Sequence, residues 1–363
     1  MYSLFKPIAF AIDPERAHDL TLANLEFAAK RVFLNSQLDK FYSAKIPDLP
    51  VKCMGLDFKH PVGLAAGLDK DARAFAAFSA LGFSAVEMGT VTPLPQAGNA
   101  KPRMFRLLED EAIINRMGFN SGGVEQFLAN FKANQSCDAL AGINIGKNAV
   151  TSIEDAHFDY VSALQRVYSS ANYITINISS PNTKSLRDLQ NADYLDNLLA
   201  QIKIAHAKCA TVHKKQVPIA LKVAPDLIED EIEAISELLI SHQFDALIAT
   251  NTTVARPSTL SSEFAGQAGG LSGKPVKEMS TKCIAEFYRH LKGKVQIIGV
   301  GGIKNSEDAW QKMLAGADYL QIYTQFIYQG PAMIREIVEG LQKIVKSQGF
   351  EDVESALYAL RQG

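Results

Sequence analysis

Eight short β-rich or apolar runs, at 62–67, 85–91, 142–147, 173–179, 218–224, 246–252, 296–302 and 319–324, recur along the 363-residue chain with helical patterns between them. Strands that alternate with helices pair in parallel, because each crossover is long enough to carry a helix back over the sheet. Eight such units close most naturally into a (β/α)₈ barrel, the TIM-barrel class of α/β fold. The alternative, an open doubly wound sheet, prefers a GxGxxG turn after an early strand, and the sequence has none. The stretch 51–58 reads as a hairpin plugging the bottom of the barrel. Two insertions break the rhythm. Residues 92–141 include an antiparallel pair, 103–107 with 112–116, turned at Glu109-Asp110-Glu111 and lying over the barrel mouth. Residues 184–191 read as a polar loop able to act as a lid.

The chain opens with twelve largely apolar residues that lack a charged leader region and a cleavage site, so they are expected to be retained. Asp13 then reads as a helix N-cap with Pro14 at the first helical position, followed by apolar positions at Ala17, Leu20, Leu25, Phe27 and Val32. These features predict a small helical pair and divide the chain into a helical extension, 1–45, and a barrel, 46–363. The extension reads equally as a lid docked on the barrel and as a monotopic membrane contact. Both can hold if one face docks while Phe5, Phe10 and their neighbours meet lipid. No stretch reaches the roughly 18–20 apolar residues of a membrane-spanning helix. A formal charge of −2 with no basic run excludes a general nucleic-acid surface. Cys53, Cys137, Cys209 and Cys283 form no CxxC pair, and the histidines form no HExxH pattern, so neither a disulfide framework nor a metal site is expected.

Side chains just past the C-terminal ends of barrel strands converge on one site. There the sequence is far from random. Ala65-Ala66-Gly67 offers small residues that let a flat ring approach the backbone, and Lys70 can bring a positive charge over the mouth. Further strands end at Thr90, at Asn144 with Lys147 nearby, and at Asn177-Ile178-Ser179-Ser180-Pro181-Asn182-Thr183. Lys222 sits inside an apolar strand, where a lysine is costly unless it meets an anion or an electron-rich ring. Gly299-Val300-Gly301-Gly302, Tyr323-Thr324 and the preceding Gly269-Gly270-Leu271-Ser272-Gly273 put glycine-rich backbone where barrels bind phosphate. Phosphate, small-residue platform and lysine together read as a site for flavin mononucleotide (FMN).

Six motifs in order, Ala-Ala-Gly-Leu-Asp-Lys at 65–70, Asn-Arg-Met-Gly-Phe-Asn at 115–120, Asn-Ile-Ser-Ser-Pro-Asn-Thr at 177–183, Thr-Asn-Thr-Thr at 250–253, Gly-Gly-Leu-Ser-Gly at 269–273 and Gly-Val-Gly-Gly at 299–302, resemble the dihydroorotate dehydrogenases over nearly the whole chain. Serine in the base position and the helical extension resemble the membrane-associated, quinone-dependent class 2. The resemblance implies oxidation of (S)-dihydroorotate to orotate in pyrimidine biosynthesis, with hydride passing to FMN and electrons going on to a membrane quinone. It implies Ser180 as base, with Thr183 and Phe119 organising a water relay. The flavin contacts it implies are Ala66, Gly67, Thr90, Asn144, Asn177 and Lys222, then Thr250, Gly273, Gly302, Tyr323 and Thr324. Substrate contacts are implied at Lys70, Asn115, Asn177, Asn182 and Asn251, with Arg116, Met117, Gly118, Phe119 and Thr252 beside them. His18 and Arg106 would line a quinone tunnel, although His18 reads equally as a polar-face helix residue.

The same resemblance implies a monomeric, peripheral protein held through residues 1–45 at the cytoplasmic face of the inner membrane, with no nucleic-acid partner. The chain departs from the pattern at Leu107-Leu108, where many relatives place proline, and at Lys184-Ser185 after the base motif. Three rival readings stand beside it: a soluble class 1-like enzyme using fumarate or NAD, a barrel isomerase or aldolase with Lys222 as a Schiff base, and a catalytically silent FMN-binding scaffold at the membrane.

Overall fold

Each of the eight runs contributes a strand in the computed structural model, which describes residues 2–134, 137–183 and 186–361. After a two-stranded hairpin, β1 (Val51–Cys53) and β2 (Leu56–Phe58), come β3 (Val62–Leu64) and β4 (Ala85–Val91). An antiparallel pair follows, β5 (Met104–Leu107) and β6 (Ala112–Asn115), and then β7 (Leu140–Ile145), β8 (Tyr173–Asn177), β9 (Ile219–Val223) and β10 (Ala246–Ala249). The last three are β11 (Gly270–Gly273), β12 (Gln296–Val300) and β13 (Tyr319–Ile322). Strands β3, β4, β7, β8, β9, β10, β12 and β13 close in that order into a parallel barrel. Covered by helices outside and by side chains within, these strands are buried almost throughout, which is why they read as unbroken apolar runs instead of alternating ones. The polar interruptions, Glu87, Asn144, Thr175, Lys222 and Gln321, are all buried as well.

The hairpin closes the barrel floor as expected. The Phe58 ring lies 4.1 Å from that of Tyr319 at the start of β13, and the Met54 amide donates to Gln296 Oε1 at 2.6 Å. Beside it, buried His60 sits 2.9 Å from the Gly82 carbonyl through Nε2 and accepts the Val62 amide on Nδ1 at 3.3 Å. Only the neutral ring can do both, and desolvation lowers its pKa from 6.5 to about 4. Between those values the unfolded chain holds the extra proton, so stability falls as the solution is acidified through the window. Denaturant titrations should show a loss of about 2–3 kcal/mol attributable to this residue on going from pH 7 to pH 4, at 1.36 kcal/mol per unit. His60→Gln should be less stable at pH 7 and should lack that part of the acid dependence; an unchanged pH slope would contradict it.

The expected antiparallel pair forms, turned through residues 108–111, but it has a third strand that sequence reasoning missed. β11 pairs with β6 along its whole length, so Gly270–Gly273 is an edge strand over the mouth before it is a glycine turn. Gly273 has φ +100°, and a Cβ there would lie 2.4 Å from the Glu111 carbonyl, so close approach of the two chain segments dictates glycine.

Among the described residues the extension holds three α-helices, not two, α1 (Tyr2–Ala11), α2 (Pro14–Ala29) and α3 (Val32–Phe41), followed by a short 3₁₀ turn, Ser43–Lys45. Asp13 caps α2 by accepting the Arg16 amide at 2.9 Å. Specific pairs dock the helices on the barrel domain. Buried Glu15 meets Arg103 Nη2 at 2.8 Å, and Arg73 Nε donates to Glu26 at 2.8 Å. Arg106 donates to the Ala9 carbonyl at 3.0 Å and to the Ile12 carbonyl, bridging the end of α1. The other face is apolar and bare: Leu4, Phe5, Ile8, Leu20, Phe27, Val32 and Phe33 are all more than half exposed. Phe10 departs from the expectation that it meets lipid. Its ring packs edge-on against Tyr328 at 5.4 Å, beneath the Arg106 guanidinium. Among the described residues no helix is long and apolar enough to cross a membrane.

Of the expected polar loop, Lys184 and Ser185 lie outside the described residues, and the rest is anchored. A short 3₁₀ helix, Leu186–Gln190, buries Leu186, Leu189 and Gln190. Arg187 reaches Asp226 at 2.8 Å and the carbonyls of Thr252 and Ser179 at 2.9 and 3.2 Å. Spacing alone hid the two leucines among polar neighbours.

Candidate active site

A single cleft runs over the C-terminal ends of the barrel strands, roofed by the β5-β6-β11 sheet and reached on one side by α2. Its floor is a hydrogen-bonded network. Glu87, fully buried on β4, accepts from Asn144 Nδ2 at 2.8 Å, from Thr175 Oγ1 at 3.1 Å, from Tyr173 at 3.2 Å and from Gln321 Nε2 at 2.7 Å. Lys222 Nζ lies 3.7 Å from the same carboxylate. The anion that the buried lysine requires is therefore Glu87, which sequence reasoning overlooked. The bond to Glu87 fixes the Asn144 amide, so that Oδ1 accepts from Thr90 Oγ1 at 2.6 Å and from Asn177 Nδ2 at 3.1 Å. Thr90, Asn177 and Lys222 face the cleft, while Asn144 supports them from below without lining it.

On the wall, Ser180 is buried and lines the cleft. Its Oγ accepts the Asn182 amide at 3.3 Å, which leaves the hydroxyl hydrogen for a group in the cleft. Asn182 Nδ2 reaches Asn115 Oδ1 at 3.3 Å, and Asn251 Nδ2 reaches Ser179 Oγ at 3.0 Å. Four asparagines, Asn115, Asn177, Asn182 and Asn251, thus converge on one space with Thr252, Met117, Gly118 and Phe119, a donor and acceptor set suited to a planar, carbonyl-bearing molecule. Lys70 donates to Asn120 at 2.6 Å, and desolvation, with Arg103 second, lowers its pKa to about 8. His18, on α2, borders the same cleft and is held neutral, its pKa lowered to about 4 by burial and then by Lys70.

At the far end Gly301 and Gly302 both have positive φ, and a Cβ on Gly302 would lie 2.6 Å from Lys277, so only glycine lets the backbone fold into this cradle. Thr324 Oγ1 donates to Ser272 at 2.8 Å, and Tyr323, Gly273, Ala66 and Gly67 complete the lining. Thr250 contributes a buried hydroxyl without a partner among the described residues.

Some expected residues stand apart. Thr183 is buried behind the wall, its hydroxyl also unpartnered among the described residues. Arg116 turns away, donating to Gln267 at 3.1 Å and stacking over Phe105. Arg106 ties α1 and does not line the cleft. Lys147 points to the Thr151 carbonyl at 2.7 Å. Ser272 and Gly301, within the glycine-rich motifs, line the cleft as well; the residues that sequence reasoning missed are Glu87 and Gln321, for which an acid inside the buried run 85–91 was the one signal that sequence carried.

A model of the dihydroorotate dehydrogenase family matches residues 48–345. A protein of Shewanella amazonensis named dihydroorotate dehydrogenase (quinone) is 52% identical over 337 residues, covering 93% of this chain and 98% of its own. One of the same name from Shewanella loihica is 51% identical over 347 residues, covering 96% and 99%. Among solved structures, DHODH from Eimeria tenella in complex with ferulenol superposes with a TM-score of 0.86 at 38% identity, covering 95% of each chain.

Proposed function

The chain belongs to the dihydroorotate dehydrogenase family, and from that premise we propose that the cleft oxidises (S)-dihydroorotate to orotate and sends the electrons to a quinone. The observation that carries this reading is the meeting of Ser180, four asparagine amides and Lys70 with a glycine cradle and a buried lysine in one cleft. The donor set fits FMN. The Gly301–Gly302 backbone with Thr324 suits its phosphate, the small residues Ala66 and Gly67 its ring, and Thr250, Asn177 and Lys222 its polar edge. When bound, FMN supplies a two-electron acceptor.

The chain's own residues supply the rest. Lys70 and the asparagines hold the carboxylate and ring carbonyls of dihydroorotate, fixing C5 toward Ser180. Oxidation removes a hydride from C6 and a proton from C5, and Ser180 Oγ takes the proton. A hydroxyl is a weak base, near water's 15.7 in acidity, so the proton must leave through a water relay that Thr183 and Phe119 organise. Lys222 is ion-paired with Glu87, which disfavours the Schiff-base reading.

Electrons leave toward the extension. We assign residues 1–45 as the quinone and membrane segment: the bare face of Leu4, Phe5, Ile8 and Val32 suits peripheral attachment to the inner membrane, and His18 borders the cleft where a quinone head would arrive. The test is anaerobic. Dihydroorotate should bleach the flavin of the purified protein, and a quinone, not fumarate or NAD, should restore it; a protein that dihydroorotate cannot reduce would refute the function. Arg106→Ala, which unties α1, should leave bleaching unchanged and slow reoxidation by quinone about tenfold or more. Slowed bleaching with normal reoxidation would contradict the assignment of the extension.

A further inference from the structure

We propose that Glu87 is a positioning residue that sets the reduction potential of the bound flavin by offsetting the charge of Lys222, an inference resting on the reading of this cleft as an FMN site. The carboxylate is fully buried, receives four hydrogen bonds, and is the acidic partner of Lys222 among the described residues. Lys222 Nζ makes no hydrogen bond to another protein group among those residues, so its remaining donors are turned over to the cleft it lines.

Burying a carboxylate and an ammonium is costly, and an apolar pair would fill the barrel at least as well. The arrangement has a use only if charge at this place matters. With FMN bound, two-electron reduction would leave negative charge on the flavin, and Lys222, which lines the cleft, would attract it. An uncompensated buried cation would hold that charge strongly and make the electrons hard to pass on. Glu87 takes back part of the attraction. It also orients Asn144, whose Oδ1 accepts from Thr90 and Asn177, so one carboxylate fixes both the charge and the hydrogen-bond polarity of the cleft floor.

Two substitutions should move the potential in opposite directions. Glu87→Gln leaves Lys222 uncompensated and should favour reduced flavin at least tenfold at a fixed applied potential, a positive shift of about 30 mV or more for a two-electron couple. Thr175→Val removes a hydrogen bond from the carboxylate without changing charge or touching the cleft, leaving the anion stronger, and should shift the potential negative. The measurement is a spectrophotometric redox titration of the full-length, flavin-loaded protein against a reference dye. Opposite shifts support the assignment; no shift, or shifts of the same sign, overturn it. If Glu87→Gln does not fold, Thr175→Val decides alone, a negative shift supporting and any other result overturning. A wild-type protein that takes up no flavin would overturn the reading of the cleft as a whole, whereas a loaded protein indifferent to Glu87 would overturn this assignment only.

Discussion

Ser180→Ala should slow anaerobic flavin reduction by dihydroorotate about 10²–10⁴-fold, the range expected when a positioned base is removed, while FMN stays bound. The side chain is small and faces the cleft, and its Oγ accepts only the Asn182 amide, at 3.3 Å, among the described residues, so the fold should be unaffected. Stopped-flow bleaching of the flavin's visible absorbance measures that rate, and the absorbance before mixing shows whether FMN is retained. Ser180→Cys should keep part of the rate, because a thiol with a pKa near 8.5 ionises far more readily than an alcohol and so supplies an anionic base at working pH. Full-speed bleaching in Ser180→Ala would remove serine from the chemistry and direct attention to a water held by Thr183.

Lys70→Met should lower kcat/KM by a factor of order 10²–10³, following the roughly 2–5 kcal/mol lost when one member of a desolvated charge pair is truncated. Because burial lowers the Lys70 pKa to about 8, the charged form needed to hold the dihydroorotate carboxylate declines as pH rises through that value. In the wild type kcat/KM should therefore fall above about pH 8, since this ratio reports groups of the free enzyme, and Lys70→Met should lack that descending limb. A wild-type profile that stays flat well above that pH would show that Lys70 does not carry the carboxylate.

The barrel was legible because strands covered on both faces must be apolar along their whole length, and eight such runs separated by helical stretches admit few closures. The site was legible where function forces an odd residue onto a strand end: Ser180 beside a proline, asparagines in series, a lysine in an apolar run. Glu87 was not. Its partners come from residues 144, 173, 175, 222 and 321, which only the closed barrel brings to one carboxylate. The β11 strand was hidden for a related reason. Its pairing with β6 spans 155 to 161 positions, and its glycines, read locally, signal a turn. Phe10 and Phe5 look alike in sequence, yet a ring at Tyr328 and the Arg106 guanidinium draw the first inward and leave the second bare.

A crystal structure of the protein with FMN and orotate bound would put the base to the sharpest test. Orotate should lie in the cleft with its carboxylate at Lys70 and its ring amid Asn115, Asn177, Asn182 and Asn251, with Ser180 Oγ about 3–3.5 Å from C5. Orotate seated outside the cleft, or C5 presented to a face that Ser180 cannot reach, would contradict the mechanism.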